Sequence, residues 1–331
     1  MATNTKRNKK RSGRQSGILM PISSLPSRFG IGGFSKEAYA FVDFLEEAGQ
    51  KLWQILPLGP TSYGDSPYQS FSTFAGNPYY IDLEALIEEG YLTEEECESV
   101  DYGSNPSYVD YEKIWLTRFS LLRIAYGKAQ KAGLLQEQNY LDFVEQNESW
   151  LPDYALYMAV KSHFKYVCWV EWDEDIRLRK PAALKKYREE LAEEIGFYQF
   201  QQYLFTTQWR ALKAYANEKG IRIVGDIPIY VAFDSADTWA NPELFQLDQD
   251  NMPIGVAGCP PDSFSVTGQL WGNPLYRWEY HKETGYTWWI SRIAYCYRLY
   301  DVVRIDHFRG FESYWFVPYG DETAQYGHWV K

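Results

Sequence analysis

The chain has 331 residues, 45% of them hydrophobic and 23% charged, and no apolar run approaches the roughly 18 residues that a membrane span needs. A core of good size can form, and collagen-like, disordered and membrane-spanning classes are excluded. Lys and Arg number 33 against 44 Asp and Glu; six of the basic residues fall in the first 17 positions, leaving a body of 27 against 44 whose field repels phosphate backbones and argues against a nucleic-acid partner.

In chain order, residues 1–16 read as a basic arm carrying Lys6, Arg7, Lys9, Lys10, Arg11 and Arg14, too polar for a secretory signal. The run 18–22 reads as a strand. Ser35 then caps a helix with Ala38, Phe41, Val42, Leu45 and Ala48 on one stripe and Gly49 at its end. A second strand, 52–58, closes at Gly59-Pro60. Strand, helix and strand imply a parallel pair joined by a crossover. Residues 17–109 are thus the first part of a sheet or barrel with its substrate loops.

Residues 110–200 read as an inserted helical subdomain, with stripes at Ile114, Phe119, Leu122 and Ala125, at Leu156, Ala159, Val160 and Phe164, and at Leu184, Tyr187 and Leu191. The strand–helix rhythm resumes in 201–331: a helix over 206–219, a strand over 221–225, a helix over 287–299 and a strand over 301–305. Residues 241–278, rich in Pro and Gly, read as a long irregular active-site loop. The class is α/β, a parallel sheet or barrel. Four scattered cysteines without a CxxC pair read as free thiols in a reducing cytoplasm, and the four histidines show no metal-ligand spacing.

Two carboxylates end apolar strands. Asp226 follows Ile223-Val224-Gly225 and Asp306 follows Val302-Val303-Arg304-Ile305, so a parallel sheet brings both to one mouth. Alternation turns Arg304 and Asp306 to the same side, where the guanidinium holds the carboxylate ionised and aims it. A structural Arg–Asp pair fits the same residues. His307 can donate to a hydroxyl or simply pack. Tyr63, Asp65 and Tyr68 follow the second strand and reach the same mouth, while Asp262, Phe264, Gln269 and Trp271 form a lid or a cap. The chain's 13 Trp, 28 Tyr and 18 Phe suit stacking on sugar faces as well as a bulky core.

Five runs, SLPSRFGIG, WQILPLGPTSYGDSPYQSFSTFAGNPY, GDIPIYVAFDSADTW, PPDSFSVTGQLWGNPLYRW and VRIDHFRGFESYW, resemble the 4-alpha-glucanotransferases, or amylomaltases, from about Gly17 to the last residue. The resemblance implies a (β/α)8 TIM-type barrel with inserted subdomains. Its implied partners are maltooligosaccharides and starch- or glycogen-like glucans, with no cofactor. It implies retaining transfer of α-1,4-glucan segments through a covalent glucosyl ester. Asp306 then matches the nucleophile and Arg304 its orienting partner. Asp226, Tyr63, Phe264, Gln269, Trp271 and His307 match positions that line sugar sites, Phe264 and Trp271 shaping the acceptor path. Asp65 and Asp262 are further substrate-binding candidates. The family's acid/base is a Glu on the strand after that of Asp306, followed by a His-Asp pair; only Glu312, Asp321 and Glu322 follow Asp306 before Lys331. The expectation is a chain truncated after about four barrel strands, inactive alone, with unpaired edges that favour self-association. An α-glucan hydrolase and a non-catalytic glucan-binding fragment are the alternatives.

Overall fold

The computed structural model describes residues 13–62 and 64–331. Most of the basic arm and Tyr63 therefore lie outside the described residues. The strands are β1 (Gly17–Leu19), β2 (Leu52–Gln54), β3 (Arg222–Pro228), β4 (Gly255–Cys259), β5 (Gln269–Pro274), β6 (Val302–Asp306), β7 (Tyr314–Pro318) and β8 (His328–Val330). β1, β2, β3 and β6 lie side by side in that order, all parallel. These are the four strands legible from apolar runs, with moved ends. β1 stops at Leu19 and Ile22–Ser24 turns as a 3₁₀ helix, β2 is three residues long, and β3 runs on through Asp226 to Pro228. The expected (β/α)8 barrel is not closed among the described residues. The parallel sheet is open, with β1 and β6 at its edges.

Helices cover this sheet for the reason the stripes suggest. Lys36–Glu47 turns Ala38, Val42 and Leu45 inward, where they meet Trp53, Ile55 and Ile223 of the sheet. The 27-residue helix Ala192–Glu218 contributes Phe197, Phe200, Leu204, Phe205, Trp209 and Leu212 to the same core. It begins well before residue 206 and runs across position 200, and within it Gly196 lets the Tyr126 hydroxyl pack where a side chain would stand. Gly225 in β3 has a comparable constraint: a Cβ there would collide with the buried ring of Tyr300. Gly225→Ala is expected to overpack this contact and cost about 1–3 kcal/mol, read as a lower denaturation midpoint at unchanged slope.

Between β2 and β3 lie the helix Tyr111–Ala132, whose Ile114, Leu121, Leu122, Ala125 and Ala129 join the core of the sheet, and the helices Gln138–Gln146, Leu151–His163 and Pro181–Glu190, which contribute to a second core with Tyr154, Tyr157, Trp169, Trp172 and Trp239. Much of the aromatic content is thus structural. Buried Lys161 ties this region to the segment after β3, its Nζ donating to Asp234 at 2.6 Å and to the Val167 carbonyl at 3.0 Å. Asp234 also accepts from the Tyr157 hydroxyl at 2.6 Å. A buried lysine is tolerated where its nitrogen is paired and hydrogen-bonded, and these two contacts anchor the segment after β3.

One expectation is overturned. Residues 241–278 are not an irregular loop: they contain β4 and β5, which join β7 and β8 in an antiparallel sheet of order β5-β4-β7-β8. This second sheet holds Gln269 and Trp271 on a strand rather than on a free lid. The four cysteines are unpaired thiols, and no helix among the described residues is long and apolar enough to cross a membrane.

Candidate active site

β3 and β6 are parallel neighbours in register, with Asp226 opposite Arg304 and Pro228 opposite Asp306. That register places one guanidinium between two carboxylates. Arg304 Nη1 donates to Asp226 Oδ1 and Nη2 to Asp306 Oδ1, both at 2.6 Å. Arg304 sits above its ordinary, already high pKa, chiefly through the hydrogen bond to Asp226. A planar fork can hold two oxygens at fixed separation, which a lysine could not.

The two carboxylates differ in environment. The Asp226 side chain is 2% exposed and both its oxygens are used, Oδ2 accepting from the Tyr68 hydroxyl at 2.8 Å. Burial, and then this hydrogen bond, push Tyr68 up to about 12, so it stays a donor. The Asp306 side chain is 42% exposed, and its Oδ2 has no hydrogen-bond partner among the described residues. Asp306 lines a cavity of about 300 Å³ together with Ser66, Tyr68, Gln69, Tyr230, Gln269, Trp271 and His307. One carboxylate is thus buried with each oxygen bonded to a side chain, and the other presents a free oxygen to a cavity.

His307 closes one side. Its φ of 53° is rare for a side-chain-bearing residue and aims the ring at Trp271, with centroids 4.8 Å apart and planes at 84°. Its Nε2 is buried without a partner among the described residues. Burial lowers its pKa below 6.5 despite the pull of Asp306, so the neutral ring is favoured. Trp271 donates its indole N–H to Gln269 Oε1 at 3.1 Å. Gln69 Nε2 donates to the Trp271 carbonyl at 3.2 Å and to Asn273 Oδ1 at 3.1 Å, stitching the loop after β2 to β5.

The structure therefore brings together Asp226, Arg304, Asp306, His307, Gln269 and Trp271, and Tyr68 with them. The remaining candidates stand elsewhere. Asp65, at φ 52°, accepts from Thr61 Oγ1 at 3.3 Å and is not among the cavity-lining residues. Asp262 caps its own loop through the backbone N–H groups of Phe264 and Ser265, which leaves Phe264 94% exposed. Neither lines the cavity. Sequence reasoning did not identify Gln69, Asn273 or Tyr230; Gln69 and Asn273 are neutral amides whose roles appear only once β5 faces the loop.

The imidazoles also set a pH response. His281 is fully buried, one ring nitrogen facing the Leu244 carbonyl at 3.2 Å, and burial lowers its pKa below 6.5. Below 6.5 the unfolded chain binds a proton that the folded chain refuses, so the His281 contribution is complete above 6.5 and is lost as pH falls toward the lowered value. Asp82 and Asp237, raised by burial, act in the opposite sense. The expected readout is therefore a difference: the unfolding midpoint falls less between pH 7.5 and 5.5 in H281Q than in the unaltered chain.

A family model described as 4-alpha-glucanotransferase matches residues 20–331. The chain belongs to the 4-alpha-glucanotransferase family. Curated relatives of that name include those of Streptococcus pneumoniae, 55% identical over 319 residues, and Clostridium butyricum, 51% identical over 313. These alignments take in 96% and 94% of this chain but 63% and 64% of the relatives, so this glucanotransferase-family chain spans about two thirds of their length. Among solved structures, the amylomaltase of Streptococcus agalactiae in complex with acarbose superposes with a TM-score of 0.91 at 48% identity. It covers 96% of this chain and 64% of that one.

Proposed function

We propose that these residues are the nucleophile side of a retaining α-1,4-glucan transfer site, taking maltooligosaccharides or longer glucans as donors. The observation that carries this reading is the asymmetry of the two carboxylates, with Asp306 offering an unbonded oxygen to the cavity while Arg304 fixes the other. In the first step the free oxygen of Asp306 attacks the anomeric carbon, the glycosidic bond breaks, and the leaving oxygen needs a proton. In the second, an acceptor hydroxyl attacks the ester, loses its proton and restores the carboxylate, so two inversions give retention. Arg304 orients the nucleophile, and Trp271, Gln269, Tyr68 and His307 hold the sugar. Tyr63, Asp65, Asp262 and Phe264 are proposed as outer contacts, Phe264 as an aromatic platform that a longer acceptor chain covers.

No carboxylic acid faces Asp306 among the described cavity-lining residues, and Asp226 is buried and held by Arg304 and Tyr68. We therefore place the acid/base outside this set of residues; the described lining of the cavity offers no acid to protonate a sugar leaving group, a deficit of about 10²–10⁴-fold. α-Glucosyl fluoride bypasses that deficit, because fluoride departs unprotonated, and azide can accept the glucosyl group without losing a proton. With both added, the chain is expected to release fluoride and form α-glucosyl azide, while maltotriose alone is scarcely converted. Failure to form the azide, or rapid disproportionation of maltotriose by the chain alone, would overturn the reading.

A further inference from the structure

Two side-chain amides, Gln69 and Asn273, line the cavity beside Asp306. Asn273, on β5 and only 5% exposed, donates through Nδ2 to the Val231 carbonyl at 2.7 Å. A carbonyl oxygen only accepts, so this bond fixes which end of the Asn273 amide is which and leaves Oδ1 for Gln69. Gln69 Nε2 then donates to Asn273 Oδ1 at 3.1 Å and to the Trp271 carbonyl at 3.2 Å, two acceptors for its two hydrogens. The remaining polar atom of the side chain, Oε1, keeps acceptor capacity. Its described donor is Asn273 Nδ2 at 3.5 Å, the long limit of a hydrogen bond. The backbone of Gln69 is also held, its N–H donating to the Ser66 carbonyl at 3.1 Å and its carbonyl accepting from the Ser62 N–H at 3.2 Å.

We infer that Asn273 is a positioning residue for sugar recognition: it sets the Gln69 amide so that Oε1 accepts a hydrogen bond from one hydroxyl of the bound glucosyl unit. The inference rests on the proposed function for the ligand and on the relay Val231–Asn273–Gln69 for the place. The two ends of a free glutamine amide are nearly alike in shape and opposite in polarity, so an unheld Gln69 could meet a hydroxyl with either. The Val231 carbonyl removes that choice through Asn273, and the Trp271 carbonyl reinforces it. The amide is therefore ordered on folding, and binding does not have to supply that ordering. An acceptor of fixed direction distinguishes a hydroxyl from a hydrogen at one carbon of the ring. A role confined to packing β5 against the loop would carry no such preference.

The test is α-glucosyl azide formation from α-glucosyl fluoride and from its 2-, 3-, 4- and 6-deoxy analogues. Each analogue's rate is taken relative to the parent donor on the same preparation, which cancels the folded fraction. Comparing variant with unaltered chain then cancels the analogue's own reactivity. Gln69→Met keeps the length and removes the acceptor. In Q69M one analogue should gain about tenfold relative to the parent donor, because the contact that the missing hydroxyl made is already gone. Asn273→Leu, which frees Gln69 to turn, should gain at the same ring position; Asn273→Ala is the second variant should N273L not fold. Asn273→Asp should keep the unaltered profile, since burial favours its protonated form, which donates to Val231 and still accepts from Gln69. An unaltered profile in Q69M or in the folded Leu or Ala variant, or the Q69M profile in N273D, overturns the inference and leaves the proposed function standing. No azide product from the unaltered chain overturns both.

Discussion

Asp306→Asn is expected to abolish glucosyl transfer from α-glucosyl fluoride to azide, a loss of roughly 10⁴–10⁶-fold, the scale seen when a covalent nucleophile is removed. The substitution keeps size and shape but replaces an anionic oxygen with a neutral amide that does not attack an acetal carbon. Stability should hardly move. The Arg304–Asp306 pair is half exposed, and exposed pairs contribute about 0–1 kcal/mol. A large kinetic effect with an unchanged thermal midpoint is the signature of a reacting group. If Asp306 were only half of a structural pair, D306N would shift stability slightly and leave transfer intact.

Arg304→Ala should act on both stability and transfer. It leaves Asp226 buried with only the Tyr68 hydroxyl as a described side-chain partner. A stranded buried charge costs about 3–5 kcal/mol, but Arg304 is 45% exposed and its pairing is partly screened, so about 1–3 kcal/mol is expected. The thermal midpoint should fall by several degrees. The double variant D226N/R304A should recover most of that loss, because the stranded charge has been removed with its partner. Transfer should not recover, since Asp306 still lacks the group that holds Oδ1. Arg304→Lys should restore stability better than transfer, one ammonium being unable to bridge two carboxylates as the fork does.

The sequence makes the parallel sheet legible because each of its strands is apolar and flanked by a helix or a Gly-Pro stop. It makes the Arg304–Asp306 pair legible because alternation along one strand requires no knowledge of its neighbours. What it hides depends on partners distant in the chain. β4 reads Gly-Val-Ala-Gly-Cys, small residues with little strand preference of their own, and becomes a strand by pairing with β5 and β7. Asp226 looked like a strand end and lies inside β3, where the ladder to β6 brings it opposite Arg304. The helix Ala192–Glu218 starts well before the residue 206 expected from its pattern, and within it Gly196 leaves room for the Tyr126 hydroxyl, a partner distant in the chain. Spacing leaves Phe264 and Asp262 open between a lid and a cap; the loop's own hydrogen bonds hold Asp262 and leave Phe264 exposed.

The central claim is that the free oxygen of Asp306 forms a bond to an anomeric carbon. Incubation of the unaltered chain with 5-fluoro-α-glucosyl fluoride, followed by digestion and mass spectrometry, tests it directly. The ring fluorine slows breakdown of the ester, and the anomeric fluoride leaves without an acid. The expected result is one fluoroglucosyl group on the peptide containing Asp306, absent in D306N. A label on any other residue, or one that persists in D306N, would contradict the account.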